Sequence, residues 1–319
     1  MNNGLHPVPS AYQSPSQRIK KYCRRLWADR YMYLIILPVL VYFALFKYWP
    51  MLWLRVSFYD YKVLKGFDGS KFVGLKYLEK FLSSPDFGSI LSNTIVLNLY
   101  CLAFVFPVPI LFALLLNELR PGMFKKFTQT ISYLPYFIST IAFASMIITF
   151  LSPNEGTLAN IFRLFGKEPI YFMGDAKYFR PIVVISGIWQ LMGWNAIVYL
   201  SALTSIDPQL YEAAVIDGAG RWKQTWHVTL PCIRTTIVIM LILQIGNLMN
   251  VNFEKVYLLQ NTANLTSSEV IQTYVYKQGI VNFNYSYGSM IGMFNSVVSL
   301  LLVAGANAVS RKISEVSLW

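Results

Sequence analysis

The sequence predicts an all-α, polytopic membrane protein with six transmembrane helices. Three observations lead there. Of the 319 residues, 55% are hydrophobic and only 13% are charged, whereas a soluble domain carries about 25% charged residues. Mean hydropathy is positive, at +0.45. Residues 31–46, 87–117, 127–154, 181–206, 235–253 and 278–310 contain no Asp, Glu, Lys or Arg, and a spanning helix needs about 20 mostly apolar residues.

Residues 1–30, with "HPVPSAYQSPSQ" and then a run of bases, read as a basic cytoplasmic tail, and residues 31–319 as one transmembrane domain. The first span, 31–50, runs past Lys47 into "YWPMLWL", because a lysine near a helix end can reach the interface. Thirty mostly polar residues precede it and no small-residue cleavage site comes after it, so it is not read as a signal peptide. Arg18, Lys20, Lys21, Arg24, Arg25 and Arg30 face a single acid, Asp29, before that span. Bases collect on the cytoplasmic side, so the N-terminus is placed there. Six crossings return the C-terminus, with Arg311 and Lys312, to the same side. The net charge of +12 is scattered over the loops, which suits membrane anchoring better than nucleic-acid binding.

In the first external loop, 51–88, Leu75, Leu78, Phe81 and Leu82 recur at helical spacing. They predict a short amphipathic helix lying on the membrane. The second span, 91–116, contains Pro107 and Pro109 and is expected to kink. "NELRPGMFKKF" makes a cytoplasmic turn before a third span at 128–150, an external loop at 151–180 and a fourth span at 181–203. A fifth span comes at 234–257, then a polar external loop, about 258–287, and a sixth span at 288–310. Cys23, Cys101 and Cys232 are far apart and suggest free thiols. His6 and His227 are the only histidines, too few for a His-based zinc site or a Ser-His-Asp triad.

Residues 204–233, between the fourth and fifth spans, fall on the cytoplasmic side and carry "YEAAVIDGAGRWKQTWHVTLP". Asp207-Pro208 is a helix start, with Asp as N-cap and Pro in the first turn. Leu210, Ala213, Ala214 and Asp217 share one helical face, and Glu212 and Ile216 another. Gly218 and Gly220 break the helix or allow a tight turn. Trp222 and Trp226 stand four apart in a second short helix, and Leu230-Pro231 closes the unit. This is a docking element or, equally on composition, an ordinary interfacial helix.

The motif itself is more specific. Glu212-Ala213-Ala214, Gly218, Val228, Leu230 and Pro231 closely resemble the EAA loop of ABC-importer permeases, with Val228 in place of the usual Ile. "DPQLY", Asp217, "FKYWPM", "FVGLKYLEKF", "SYLPYFIS", "FEKVYLL" and the terminal "SLW" resemble the carbohydrate branch, whose members include maltose-transporter-like permeases and those for complex oligosaccharides derived from polysaccharides. The resemblance implies a type I importer permease (MetI-like) fold in a bacterial inner membrane, with both termini cytoplasmic. It implies a second, homologous permease subunit, two cytoplasmic ATPase subunits that bind ATP and Mg, and a solute-binding protein that delivers an oligosaccharide. It also implies that the Ala213/Ala214 face seats in a cleft of the ATPase and that Gly218 sets the bend. The chain lacks a G-x-x-x-x-G-K-[ST] phosphate loop, since "GAGRWK" has the wrong spacing, so it is expected to be non-catalytic and to need no cofactor or metal of its own.

Polar residues in membrane helices face the bundle interior or a water-filled cavity. Gln244, Asn247, Asn250 and Glu254 lie within about 120° on a helical wheel and are expected to line a translocation path. Gln190, Trp194, Asn195 and Tyr199 on the fourth span and Asn295 on the sixth join them as candidates. Hydrogen bonding between helices explains any single one of these equally well. A permease for another small solute, a secondary transporter and a membrane glycosyltransferase are the competing readings. No span carries a central acid for ion coupling, and the loop acids Asp60, Asp68, Asp86 and Asp175 form no catalytic pattern.

Overall fold

The computed structural model describes Trp27, residues 29–250 and residues 252–314. Most of the basic tail, Cys23 and "SLW" lie outside these residues. The chain divides into two compact units, Met1–Arg55 and Val56–Trp319. In the first, α1 (Arg30–Phe43) passes through a π turn at Ala44–Tyr48 and an α turn at Trp49–Met51 into a 3-10 stretch that starts at Leu52. The wider turn falls just before Pro50, whose ring would otherwise meet the carbonyl four residues back.

The second unit begins with the antiparallel hairpin β1 (Tyr59–Lys62) and β2 (Gly66–Phe72). Then come α2 (Lys76–Leu82), α3 (Phe87–Tyr100), α4 (Pro107–Glu118), α5 (Met123–Tyr133), α6 (Thr140–Phe150) and α7 (Thr157–Leu164). The long α8 (Ala176–Thr204) leads to α9 (Pro208–Ile216), α10 (Arg221–Gln224) and α11 (Leu230–Gly246). The chain ends with α12 (Phe253–Leu259), α13 (Leu265–Ser268), α14 (Ile271–Tyr276) and α15 (Tyr285–Ser314). Five helical segments among the described residues are long and apolar enough to cross a membrane: Arg30–Phe58, Phe87–Glu118, Ala176–Thr204, Arg221–Gly246 and Tyr285–Lys312. A bent pair, Met123–Phe137 with Thr140–Phe150, brings the count to six if it forms one span.

Four sequence expectations change form. The kink expected at Pro107 and Pro109 takes the form of a π turn at Cys101–Val105, where the Phe106 N–H donates five residues back to the Cys101 carbonyl at 3.1 Å. The third span is not straight. It bends by 98° between Phe137 and Thr140, because Pro135 sits in a 3-10 turn and Ser139 is extended, its Oγ accepting from the Ala142 N–H at 3.3 Å. The fifth span's helix α11 ends at Gly246, a turn takes up 247–249, and the chain resumes as α12 at Phe253. Finally, α2 packs one face into the fold, while Leu75 and Leu82 stay exposed. Phe81 is fully buried against Phe87, Tyr274 and Phe294. Tyr77 Oη donates to Asp60 Oδ1 at 2.9 Å, and burial together with that carboxylate pushes the phenol up to about 12. The Phe81 contacts hold α2 against α14 and α15, and the Tyr77 bond ties it to β1.

The apolar core forms three clusters. One joins Leu97, Ala144, Phe179, Val183 and Val256. A second gathers Phe81, Ile90, Met249, Ile271 and Ile291. The third, toward the 205–220 loop, contains Ala113, Ala196, Tyr199, Leu203 and Ile233. Cys101 and Cys232 are free thiols.

The close approach of α5 to α8 depends on Gly193, where an added Cβ would overlap the Ser132 carbonyl oxygen. Backbone cannot yield as a flexible side chain does. We expect Gly193→Val to destabilise the protein by about 1–3 kcal/mol, whereas Gly292→Ala, into open space, stays within about 0.5 kcal/mol. Thermal unfolding of the detergent-purified variants distinguishes the two.

Candidate functional site

The loop after α8 is built by local chemistry. Asp207 is extended, its Oδ1 accepts from the Gln209 N–H at 2.9 Å, and Pro208 fills the first turn of α9, as the sequence predicts. α9 ends in a Schellman turn. Ala219 N–H donates to the Ala214 carbonyl at 2.8 Å, and Gly218 N–H to that of Val215 at 3.0 Å. The turn requires a left-handed residue, and Gly218 supplies it with φ at 72°. No heavy atom lies within 4 Å of where its Cβ would be, so the demand at this position is conformational and not steric.

One expectation about the loop is corrected. The second short helix is not a separate element closed by Leu230-Pro231. α10 runs through a π turn at Thr225–Thr229 into α11, giving a continuous helix from Arg221 to Gly246. Pro231 falls in the first turn after the π turn, where the wider spacing makes room for its ring. Two bonds tie α9 and its turn to this rod: Tyr211 Oη pairs with Thr229 Oγ1 at 3.0 Å, and Gln224 Nε2 donates to the Ala219 carbonyl at 2.8 Å. Arg221 also meets Glu118, at the end of α4, at 3.6 Å.

The outer face of the loop is apolar and bare. Ile216 is 85% exposed and Trp222 79%, with Leu210, Val215 and Trp226 also exposed. Glu212, Ala213, Asp217, Gly218 and Pro231 are exposed, while Ala214 and Leu230 are half-buried. Glu212 has no ion-pair partner among the described residues. Large exposed apolar side chains among charges mark a surface that meets a protein or a membrane.

The second candidate set divides. Because the fifth span is interrupted, Gln244, Asn247, Asn250 and Glu254 do not share one helical face. Asn247, Asn250 and Glu254 are exposed at the interruption, and Gln244 is half-buried in α11. Asn250 Oδ1 accepts from Asn295 Nδ2 at 3.0 Å and from Gln272 Nε2, so Asn250 and Asn295 are bonded directly and Gln272, which sequence reasoning missed, joins them at Asn250. Asn295 Oδ1 and Ser299 Oγ are buried without partners among the described residues. On α8, Gln190 is buried with Oε1 unpartnered. Trp194 stacks on Tyr136 with centroids 4.2 Å apart, and Asn195 is half-buried. Tyr199 is 2% exposed inside the third cluster, which makes it a core residue. Lys255 was also missed. It is 2% exposed and holds its Nζ 4.7 Å above the Phe143 ring, and its one sequence signal is a lysine inside the apolar run "FEKVYLL".

Residues 106–315 match the family described as "Binding-protein-dependent transport system inner membrane component". The chain is 42% identical over 313 residues to the polygalacturonan/rhamnogalacturonan transport system permease protein YteP of Bacillus subtilis (strain 168), covering 98% of each chain. It is 37% identical to a chain of a bacterial alginate ABC transporter solved with an alginate pentasaccharide-bound periplasmic protein, with TM-score 0.84, covering 92% of this chain and 99% of that one. A second solved transporter, described as importing the acidic polysaccharide alginate, matches with TM-score 0.85 and 37% identity at the same coverage.

Replacing the α9 cap, Asp207→Ala, should cost about 1 kcal/mol of local stability. Amide hydrogen exchange should then speed up about fivefold in 208–216 and hold steady in 230–246. Equal acceleration in both segments would show that the cap serves the whole unit and not α9 alone.

Proposed function

This chain belongs to the family of binding-protein-dependent transport system inner membrane components, as a permease subunit of an ABC importer for oligo- or polysaccharides, and we propose that its cargo is an acidic oligosaccharide. It is a multi-pass inner-membrane protein. The relatives named for polygalacturonan and for the acidic polysaccharide alginate support the choice of cargo. In this reading both termini are cytoplasmic and a second, homologous permease completes the pathway. A solute-binding protein delivers the saccharide, and two ATPase subunits bind ATP and Mg.

The observation that carries the mechanism is the bare apolar face of α9 on a loop bonded to a continuous spanning helix. Ala213 and Ala214 offer a surface that another backbone can approach closely, with Glu212 free to accept hydrogen bonds. Val215, Ile216 and Trp222 supply apolar area to bury in an ATPase cleft. Closure of the ATPase pair moves α9, and the Schellman turn and the Tyr211–Thr229 bond carry that motion into the Arg221–Gly246 helix. The interruption after Gly246, with Asn247, Asn250 and Glu254 exposed and Asn295 bonded to Asn250, gives hydroxyl-binding groups along the path. Gln190, Trp194 and Asn195 remain candidates on α8.

Two outcomes test this. Gly218→Val places a β-branched residue at positive φ. In the reconstituted importer it should cut transport at least tenfold, equivalent to about 1.4 kcal/mol, while ATP hydrolysis persists; normal transport would refute the assignment. Uronate trisaccharides should stimulate ATP hydrolysis in the presence of the binding protein and neutral ones of equal length should not. The reverse preference would replace the acidic cargo with a neutral one.

A further inference from the structure

At the end of α8 far from the α9 loop stands a cation that no acid among the described residues pairs with. Arg180 Nη2 donates to Asn93 Oδ1 at 2.9 Å. Asn93 is itself buried, and its amide nitrogen donates to the carbonyls of Thr266 at 2.9 Å and Glu269 at 3.2 Å. Its oxygen is thereby aimed at the guanidinium. This acceptor is neutral, so it orients Arg180 without neutralising it. The nearby acids are engaged elsewhere: Asp175 pairs with Lys177 at 2.8 Å and Glu269 with Lys277 at 3.0 Å. Among the described residues no carboxylate lies within 4 Å of Arg180, and its buried Nε has no acceptor.

Arg180 stands at the mouth of a groove of about 540 Å³ between α8 and the α3 end of the second span. Lys177 shares the mouth, and Tyr100, Phe104, Ile185 and Ile188 form the walls. From Arg180 to Ile188 the groove descends about 12 Å along the helix at 1.5 Å per residue. That is close to the depth of one hydrocarbon leaflet, about 15 Å. The walls offer one phenol and otherwise carbon, so they suit an acyl chain and not the hydroxyls of a saccharide. An uncancelled guanidinium above an apolar cleft at the end of a spanning helix matches the charge and shape of a lipid with a net negative headgroup.

We propose that Arg180 and the Tyr100–Phe104–Ile185–Ile188 groove form a binding site for one anionic phospholipid. The phosphate pairs with the guanidinium and one acyl chain lies in the groove. The bound lipid would supply the counter-charge that Arg180 lacks and brace α8 against the second span.

The test is native mass spectrometry of the whole importer, purified in mild detergent and titrated with phosphatidylglycerol or with phosphatidylcholine of the same chains. The expected result is preferential retention of phosphatidylglycerol, weakened about fivefold by Arg180→Gln, in line with the attraction of one cation near a membrane surface. Ile188→Trp keeps the cation and narrows the groove, so it should weaken both lipids. Lys177→Gln, whose charge is already paired, should have a smaller effect than Arg180→Gln. Equal retention of the two lipids by the parent would overturn the proposal. So would unchanged phosphatidylglycerol retention in Ile188→Trp, which carries the test alone if Arg180→Gln does not assemble. Displacement of the lipid by a uronate trisaccharide would reassign the groove to cargo.

Discussion

The continuity of the helix from Arg221 to Gly246 is the constraint on which the rest of this structure depends. A loop that ended before the fifth span would leave a hinge between whatever docks on α9 and the membrane core. The π turn at Thr225–Thr229 admits Pro231 without breaking the rod, so the polar half of the loop and the apolar span are one body. The bonds from Tyr211 to Thr229 and from Gln224 to Ala219 then fix α9 to that body. In the proposed reading, a push on Ile216 or Trp222 is transmitted by helix and hydrogen bonds and not absorbed by a flexible segment.

Elsewhere the fold shows how a membrane protein interrupts helices. With no water in the bilayer core, freed backbone groups must find partners nearby. Ser139 receives the Ala142 N–H at the 98° bend. Asn252 receives the Lys255 N–H where α12 resumes. Each interruption is thus closed by a short polar side chain at the N-cap of the next helix. At the second one, the side chains of Asn250, Asn295 and Gln272 meet and Met249 is buried. The turn after Gly246 therefore combines an apolar anchor, Met249, with a polar cluster around Asn250.

Much of this was legible in the sequence. Charge-free runs marked the spans, Asp207-Pro208 marked the start of α9, and Gly218 marked its end. These are local signals, with the cause and the consequence within a few residues. The rest depended on tertiary context. Nothing near residue 247 distinguishes a continuous fifth span from a broken one, because "GNLMNVN" carries no proline and its asparagines read as a polar stripe. Gln272 joins Asn250 across 22 residues of chain, and Arg180 joins Asn93 across 87, separations that no periodicity reaches. Tyr199 looked like a pathway residue because it stands four from Asn195. The packing of Ala113, Leu203 and Ile233 around it makes it core.

The most direct measurement is a pulsed dipolar distance between spin labels at Ile216 and Ile245 within one permease, in the reconstituted importer with its native cysteines replaced. If α9 and the Arg221–Gly246 helix move as one body, the distribution is narrow and its centre is the same with and without ATP, while labels on the two α9 loops of the permease pair change their separation. A shift or broadening of the Ile216–Ile245 distance on ATP binding would contradict the account, because the loop would then be a hinge and not a lever.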